Sequence, residues 1–363
     1  MRSTRTLTLA LVVAAGAACV READRQAVIS KKPAAESASS QVAAGEVASR
    51  PLSRTELGMF APLPVNMFAS GARPTDAQVN LGRKLYHETV LSGGHDVSCN
   101  TCHPLNGYGA DGRPVSFGSH GLVGGRNAPT VYNAAGHVAQ FWDGRAPTVE
   151  EQAKGPILNP AEMAMPNSGA VLDHMRSSAE YRAAFRAAFP NEAQPINYDN
   201  VGRAIGAFER GLVTPSRWDK FLAGDSSALS AQEKRGAATF VRLGCSACHN
   251  GAYVGGQSFQ KLGLVKPWPT SADSGRIKVT HQASDLFVFK VPSLRNVEKT
   301  GPYFNDGSVA SLDEAIRLMA RHQLGKELTA EQVSDIHAWL GSLTGELPAA
   351  YIAEPQLPKT GGK

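Results

Sequence analysis

The chain is poor in several things. Its 363 residues include only five cysteines, 7 % aromatic residues, and 37 Lys+Arg against 32 Asp+Glu. Five cysteines are too few for a disulfide scaffold. So mild a charge excess, with no run of Lys or Arg, argues against a nucleic-acid partner. No stretch approaches the ~20 apolar residues that span a bilayer. An apolar fraction of 42 % is nonetheless ordinary for a globular chain, which excludes wholesale disorder. The length points to two domains.

The placing of the cysteines is more telling than their number. Cys19 stands alone behind Met1–Ala18, a segment with Arg2 and Arg5 ahead of a short apolar stretch and small residues. That is the pattern of a secretory signal, residues 1–18. Its removal lowers the formal charge of +5 by two. Cys19 occupies the place where a lipoprotein signal puts the cysteine to be acylated, although Gly16 stands where leucine is usual. Ordinary cleavage near Ala18 is the other reading. Residues 19–50, rich in Ala, Ser, Lys and Glu and free of aromatics, read as a disordered linker.

Beyond the linker the chain states one plan twice. Thr75-Asp-Ala-Gln78 predicts a capped helix carrying Val79, Leu81 and Leu85. The motif Cys99-Asn-Thr-Cys102-His103 follows, and residues 104–147, rich in Gly, Asn and Pro, read as a long functional loop. Apolar spacing predicts one helix over 171–189 and another over 200–212. Ser230-Ala-Gln-Glu233 opens a helix that leads into Cys245-Ser-Ala-Cys248-His249. Ser311-Leu-Asp-Glu314 and Thr329-Ala-Glu-Gln332 cap two further helices, and 284–291 is the best strand candidate. The expected domains are 51–215 and 216–350, meeting near 215–228, with 351–363 as a tail.

Each C-x-x-C-H fits covalent attachment of a c-type haem. Two thiols add to the two vinyl groups on one side of the porphyrin, and the next residue, His103 or His249, reaches the iron. A redox dithiol or a zinc site is the competing reading. The first does not explain His at the same place twice, and the second would have to join motifs far apart in the chain. The fold class expected is mostly α: two cytochrome c-like domains, each with one covalent haem, long loops and little β.

The remaining iron ligand on each haem decides between carrier and enzyme. On the N-terminal side the candidate is His120, in a loop with glycines at 107, 109, 112, 118, 121, 124 and 125 that can adopt more than one arrangement. On the C-terminal side it is Met319, which would raise the reduction potential relative to His. A surface loop histidine and a core methionine are the plainer alternatives.

With the motifs SCNTCH (98–103), RNAPTVYNA (126–134), QFWDGRA (140–146), EQAKGPILNPAEM (151–163), GCSACHNG (244–251), VPSLRN (291–296), GPYFNDG (301–307) and SLDEAIRLM (311–319), the chain resembles the bacterial di-haem cytochrome c peroxidases, the MauG-related group, over about 75–350. The resemblance implies His103 and His249 as proximal ligands. It implies His120 as the displaceable ligand of an N-terminal, peroxidatic haem, and Met319 as the fixed ligand of a C-terminal, high-potential haem. Glu162 is implied as the acid–base residue and Trp142 as lying between the haems. A calcium ion would be held by the Asn127 side chain and the carbonyls of Thr300 and Pro302. Two departures stand out: one residue is added before His120 (SFGSHG), and Asn305 replaces a frequent His without touching a ligand.

Reduction of H2O2 to two waters takes two electrons and two protons, a reason to place two unlike haems in one chain. Glu162, in a loop with Pro156, Pro160 and Pro166, could move the proton. The expected protein is a periplasmic peroxidase, free or tethered at Cys19, drawing electrons from a small cytochrome c or cupredoxin; the resemblance also implies a homodimer. The alternatives are a MauG-type enzyme that oxidises residues of a partner protein, where tyrosine replaces the methionine ligand, and a di-haem carrier without turnover.

Overall fold

The computed structural model describes residues 50–68, 73–269 and 272–358. The signal segment, Cys19, the linker as far as residue 49 and the last residues of the tail, 359–363, lie outside them. The described residues fall in one compact unit.

The order is helical from end to end. α1 (Arg54–Leu57) and α2 (Asp76–His87) precede α3 (Cys99–Cys102), which carries the first motif. Then come α4 (Val149–Leu158), α5 (Ser168–Ser177), α6 (Ala179–Ala188), α7 (Tyr198–Glu209) and α8 (Arg217–Leu222). α9 (Ala231–Leu243) runs into the second motif, and α10 (Ile277–Thr280), α11 (Leu312–Leu324), α12 (Ala330–Ser342) and α13 (Ala349–Ile352) complete the chain. Among the described residues the only sheet is β1 (Phe259–Lys261) paired antiparallel with β2 (Val288–Lys290), with Gln260 opposite Phe289. The protein is mostly α, and no described helix is long and apolar enough to cross a membrane.

Local signals made most of the helix starts. Thr75, Ser230 and Thr329 each form a reciprocal capping box with the residue three further on. Three expectations need correction. The helix expected over 171–189 is two, because Ser178 is extended and its hydroxyl accepts the Tyr181 N–H at 3.2 Å, starting a second helix. Ser311 sits at the N-cap of α11 but makes no side-chain cap bond. The strand expected over 284–291 shrinks to Val288–Lys290, since Ala283–Asp285 is a 3-10 turn.

Two hydrophobic cores result. The first gathers Leu85, Tyr86, Ile157, Phe185, Ile205 and Phe208. The second gathers Trp218, Phe240, Val254, Ile336, Trp339 and Leu340. In each, a helix ahead of a C-x-x-C-H motif crosses a later helix at a glycine. A Cβ on Gly82 would lie 1.8 Å from the Ala204 carbonyl oxygen, and one on Gly236 would lie 1.8 Å from that of Asp335. Only glycine lets the backbones approach so closely.

The terminal segments are exchanged between the cores. Phe60 packs edge-on against Trp218 at 5.4 Å and against Trp339 at 6.2 Å, in the second core. Tyr351 stacks on Phe208 at 5.2 Å and donates its hydroxyl to the Phe208 carbonyl at 2.7 Å, in the first. Apolar residues at 52–60 thus pack on the second core, and those at 347–352 on the first.

Candidate active site

A cavity of about 1070 Å3 is lined by both C-x-x-C-H motifs. At the first, α3 turns back on itself, and the His103 N–H donates to the Cys99 carbonyl at 2.9 Å. The Tyr86 hydroxyl donates to the His103 carbonyl at 2.8 Å, and His103 Nδ1 faces the Gly109 carbonyl at 3.1 Å. That contact fixes Nδ1 as the N–H and leaves Nε2 as the basic nitrogen, the arrangement of a metal-ligating imidazole. At the second motif, Gly244 (φ 103°) ends α9 and Cys245–Ala247 forms a 3-10 turn. The His249 N–H donates to the Cys245 carbonyl at 3.0 Å, while His249 Nδ1 is buried without a hydrogen-bond partner among the described residues. Burial pushes His249 down to about 4 and lowers His103 too, so both rings are held neutral.

The four described cysteines are free, and burial pushes the Cys245 thiol up to about 12 and Cys99 higher still. Buried thiols of this kind are poor nucleophiles and unsuited to dithiol exchange. Among the described residues no group of three His, Cys, Asp or Glu is arranged to hold a metal ion. Two cysteine pairs and two neutral imidazoles on one large apolar cavity suit a haem at each motif.

The other expected residues fall unevenly around this cavity. Glu162, Trp142, Met319, Asn127, Thr300 and Pro302 all line it; His120 does not. His120 is exposed, at φ 60°, and its N–H donates to Asp96 Oδ2 at 3.1 Å.

Glu162 sits just past α4, in a turn fixed from several sides. Its N–H donates to the Asn159 carbonyl at 3.0 Å, and its own carbonyl accepts the Ser119 N–H at 2.6 Å. Asn159 Nδ2 donates to Glu162 Oε1 at 2.8 Å. Burial raises the carboxyl above its usual range, against the pull of Arg145 and Asn159. Pro156 was expected in this loop but lies inside α4, where its carbonyl accepts the Met163 N–H at 3.1 Å.

Trp142 donates its indole N–H to the Asn127 carbonyl at 2.9 Å, which joins two of the expected residues directly. Asn127 is buried; its N–H donates to the Asn305 carbonyl at 2.8 Å and its side-chain N–H to the Arg113 carbonyl at 2.9 Å. The Asn305 carbonyl is backbone and would be supplied by any residue at 305; the Asn305 side chain itself donates to Asp273 Oδ2 at 3.1 Å. An ion-paired cluster closes this region: Arg126 bridges Asp143 at 2.7 Å and Asp273 at 2.6 Å.

Sequence reasoning missed three cavity residues. Glu209, at the end of α7, is buried there and pushed up to about 8 by burial and the nearby Glu150. His137 and Lys290 meet in the cavity wall from distant parts of the chain. None belongs to a motif with a spacing rule.

A mostly helical chain that closes two Cys/Cys/His sites around one apolar cavity has the layout of a di-haem redox protein. Residues 76–227 match the family model described as di-haem cytochrome c peroxidase. The chain is 45 % identical over 306 residues to a cytochrome c551 peroxidase of Pseudomonas aeruginosa, covering 83 % of this chain and 88 % of that protein. It is 47 % identical over 278 residues to the cytochrome c peroxidase Ccp of Escherichia coli, covering 75 % of this chain and 59 % of that longer protein. Among solved structures, a MauG-like protein associated with microbial copper homeostasis superposes with a TM-score of 0.72 at 28 % identity, over 81 % of this chain and 97 % of that one. The chain belongs to the di-haem cytochrome c peroxidase family and is an oxidoreductase of the cytochrome c peroxidase class. Membership brings haem as cofactor, H2O2 as substrate and a redox protein as electron source.

Proposed function

We propose that this chain reduces H2O2 to two waters with two protons and two electrons, the electrons coming from a small periplasmic cytochrome c or cupredoxin. Cys245 and Cys248 would hold, through thioethers, the haem at which electrons enter, and Cys99 and Cys102 the haem that receives them. The haem irons supply the redox chemistry and the open coordination site for peroxide.

The protein's residues do the rest. His103 and His249 hold the irons through Nε2. Met319, half-buried on the cavity wall, would be the second ligand at the C-terminal haem and would set its potential high. Glu162 moves the proton between the two oxygens of peroxide, and Asn159 keeps its carboxyl aimed. Trp142, bonded to the Asn127 carbonyl, lies on the route between the two halves. Asn127, Thr300 and Pro302 would hold a calcium ion, Asn127 through its side-chain oxygen and the other two through carbonyls, as suits a hard cation. His120 would serve as the displaceable ligand of the N-terminal haem, and its place on an exposed glycine-rich loop would let it move to and from the iron. The chain is exported to the periplasm by residues 1–18, is either acylated at Cys19 or cleaved near Ala18, and works as a homodimer.

The observation that carries this reading is the pairing of a fixed, half-buried Glu162 with a half-buried Met319 on one cavity. Its test is a redox titration followed by visible and EPR spectra with Ca2+ present, then H2O2 added to the half-reduced protein. Opening of one haem with peroxide consumption is expected. Two haems that stay six-coordinate without turnover mean a carrier instead. Met319→Ala should change the spectrum and potential of one haem alone.

A further inference from the structure

Two haems bring four carboxylate side chains into a cavity that is mainly apolar, and these need cations. Most cations on the cavity wall are already engaged. Arg126 is paired with Asp143 and Asp273, Arg145 with Asp143 at 3.1 Å, and Lys278 lies 3.6 Å from Asp273. Lys290 differs. It is 9 % exposed and has no carboxylate within ion-pair distance among the described residues. Its Nζ donates to the Ala139 carbonyl at 2.8 Å and lies 3.5 Å from His137 Nδ1. An ammonium carries three donors, and a buried one without a counter-charge is unfavourable. Beside it, His137 Nε2 is buried with no hydrogen-bond partner among the described residues.

We propose that Lys290 and His137 together seat a carboxylate side chain of the haem anchored at Cys245 and Cys248. The inference rests on the reading of two covalent haems given above. The choice of haem follows from the local backbone. A Cβ on Gly256 would lie 2.5 Å from His137 Cδ2, and one on the preceding Gly255 would lie 3.1 Å from His249 Nδ1. Lys290 is on β2, two residues before Pro292, whose carbonyl oxygen would lie 2.3 Å from that same Gly255 Cβ. The pair is thus joined to the His249 ring by very short stretches of backbone. The Lys290 N–H also donates to the Trp142 carbonyl at 2.8 Å, so the seat spans both halves of the chain. Burial now pulls the ammonium down to about 8, with only the more distant Asp143 opposing, and a carboxylate against it would restore its charge.

A buried cation facing a haem carboxylate offsets its negative charge and so favours the ferrous iron. The test is spectropotentiometry of each haem in Lys290→Met and Lys290→Arg holoenzymes, after a pyridine haemochromogen assay has counted the attached haems. Lys290→Met should lower the ferrous-to-ferric ratio of the C-terminal haem about tenfold at a fixed solution potential, equivalent to ~59 mV for one electron. Lys290→Arg should restore most of it, which a merely structural role would not require. Lys290→Gln, closer in polarity, serves if the Met variant fails to fold. An unchanged C-terminal potential in a fully loaded neutral variant overturns the proposal, as does a shift confined to the N-terminal haem. Wild-type protein with fewer than two attached haems would instead refute the two-haem reading beneath it.

Discussion

Asn159 donates its side-chain N–H to Oε1 of Glu162 at 2.8 Å, and so favours the ionised carboxylate that burial disfavours. Asn159→Leu removes one of the two influences that oppose burial and leaves that of Arg145, so the carboxyl rises further. If ionised Glu162 takes the peroxide proton, turnover falls as pH drops through this raised value. The acid limb of the turnover profile should therefore move to higher pH in Asn159→Leu, with both haems retained. Glu162→Gln should lose ~10²–10⁴-fold in turnover at every pH. Steady-state assays with H2O2 across pH check both, and an unmoved acid limb in Asn159→Leu would detach Asn159 from the mechanism.

Arg295 concerns stability rather than chemistry. Its guanidinium is fully buried and donates to Asp219 Oδ2 at 2.7 Å and Oδ1 at 2.8 Å, and to the Ala252 carbonyl. Asp219 also accepts the Leu63 N–H at 2.7 Å. Burial alone would raise this carboxyl, but Arg295 and the backbone N–H groups overcome it and hold it below its usual value. Because the folded value is lowered, the stabilisation is present above the unfolded carboxyl value and is lost as pH falls through the folded one. Arg295→Met strands a buried carboxylate, which costs ~3–5 kcal/mol. Denaturant unfolding of the holoenzyme near neutral pH should show this loss, and the Leu63 amide should lose hydrogen-exchange protection. A loss under 1 kcal/mol would mean that the carboxylate finds water instead.

How much of this could be read in the sequence depended on range. Capping boxes at Thr75, Ser230 and Thr329 were legible because each is made within four residues. Both C-x-x-C-H motifs were legible because the porphyrin fixes their spacing. Glu162 and Trp142 stood out only through resemblance, since a lone loop glutamate or aromatic has no pattern of its own. The break at Ser178 was hidden because apolar spacing continues across it. The exchange of Phe60 and Tyr351 between cores, and the meeting of His137 with Lys290, join residues far apart in the chain. Nothing local encodes them; they follow from which core still has surface to cover.

The two helix crossings give the most discriminating stability test. Replacing glycine by alanine inside a helix normally stabilises it by about 1 kcal/mol. At Gly82 in α2 and Gly236 in α9 the sign should reverse, because the new methyl would meet a carbonyl oxygen of the crossing helix at 1.8 Å. The helices must then move apart, and overpacking of this kind costs ~1–3 kcal/mol. Since the two sites lie in separate cores, the losses in Gly82→Ala and Gly236→Ala should add in the double variant. In Gly236→Ala the displaced α9 also carries the approach to Cys245, so the spectrum of the C-terminal haem should change while the other is preserved. Equilibrium unfolding together with visible spectra reads both effects. A neutral or stabilising Gly236→Ala would mean that the α9–α12 crossing is looser than its geometry indicates.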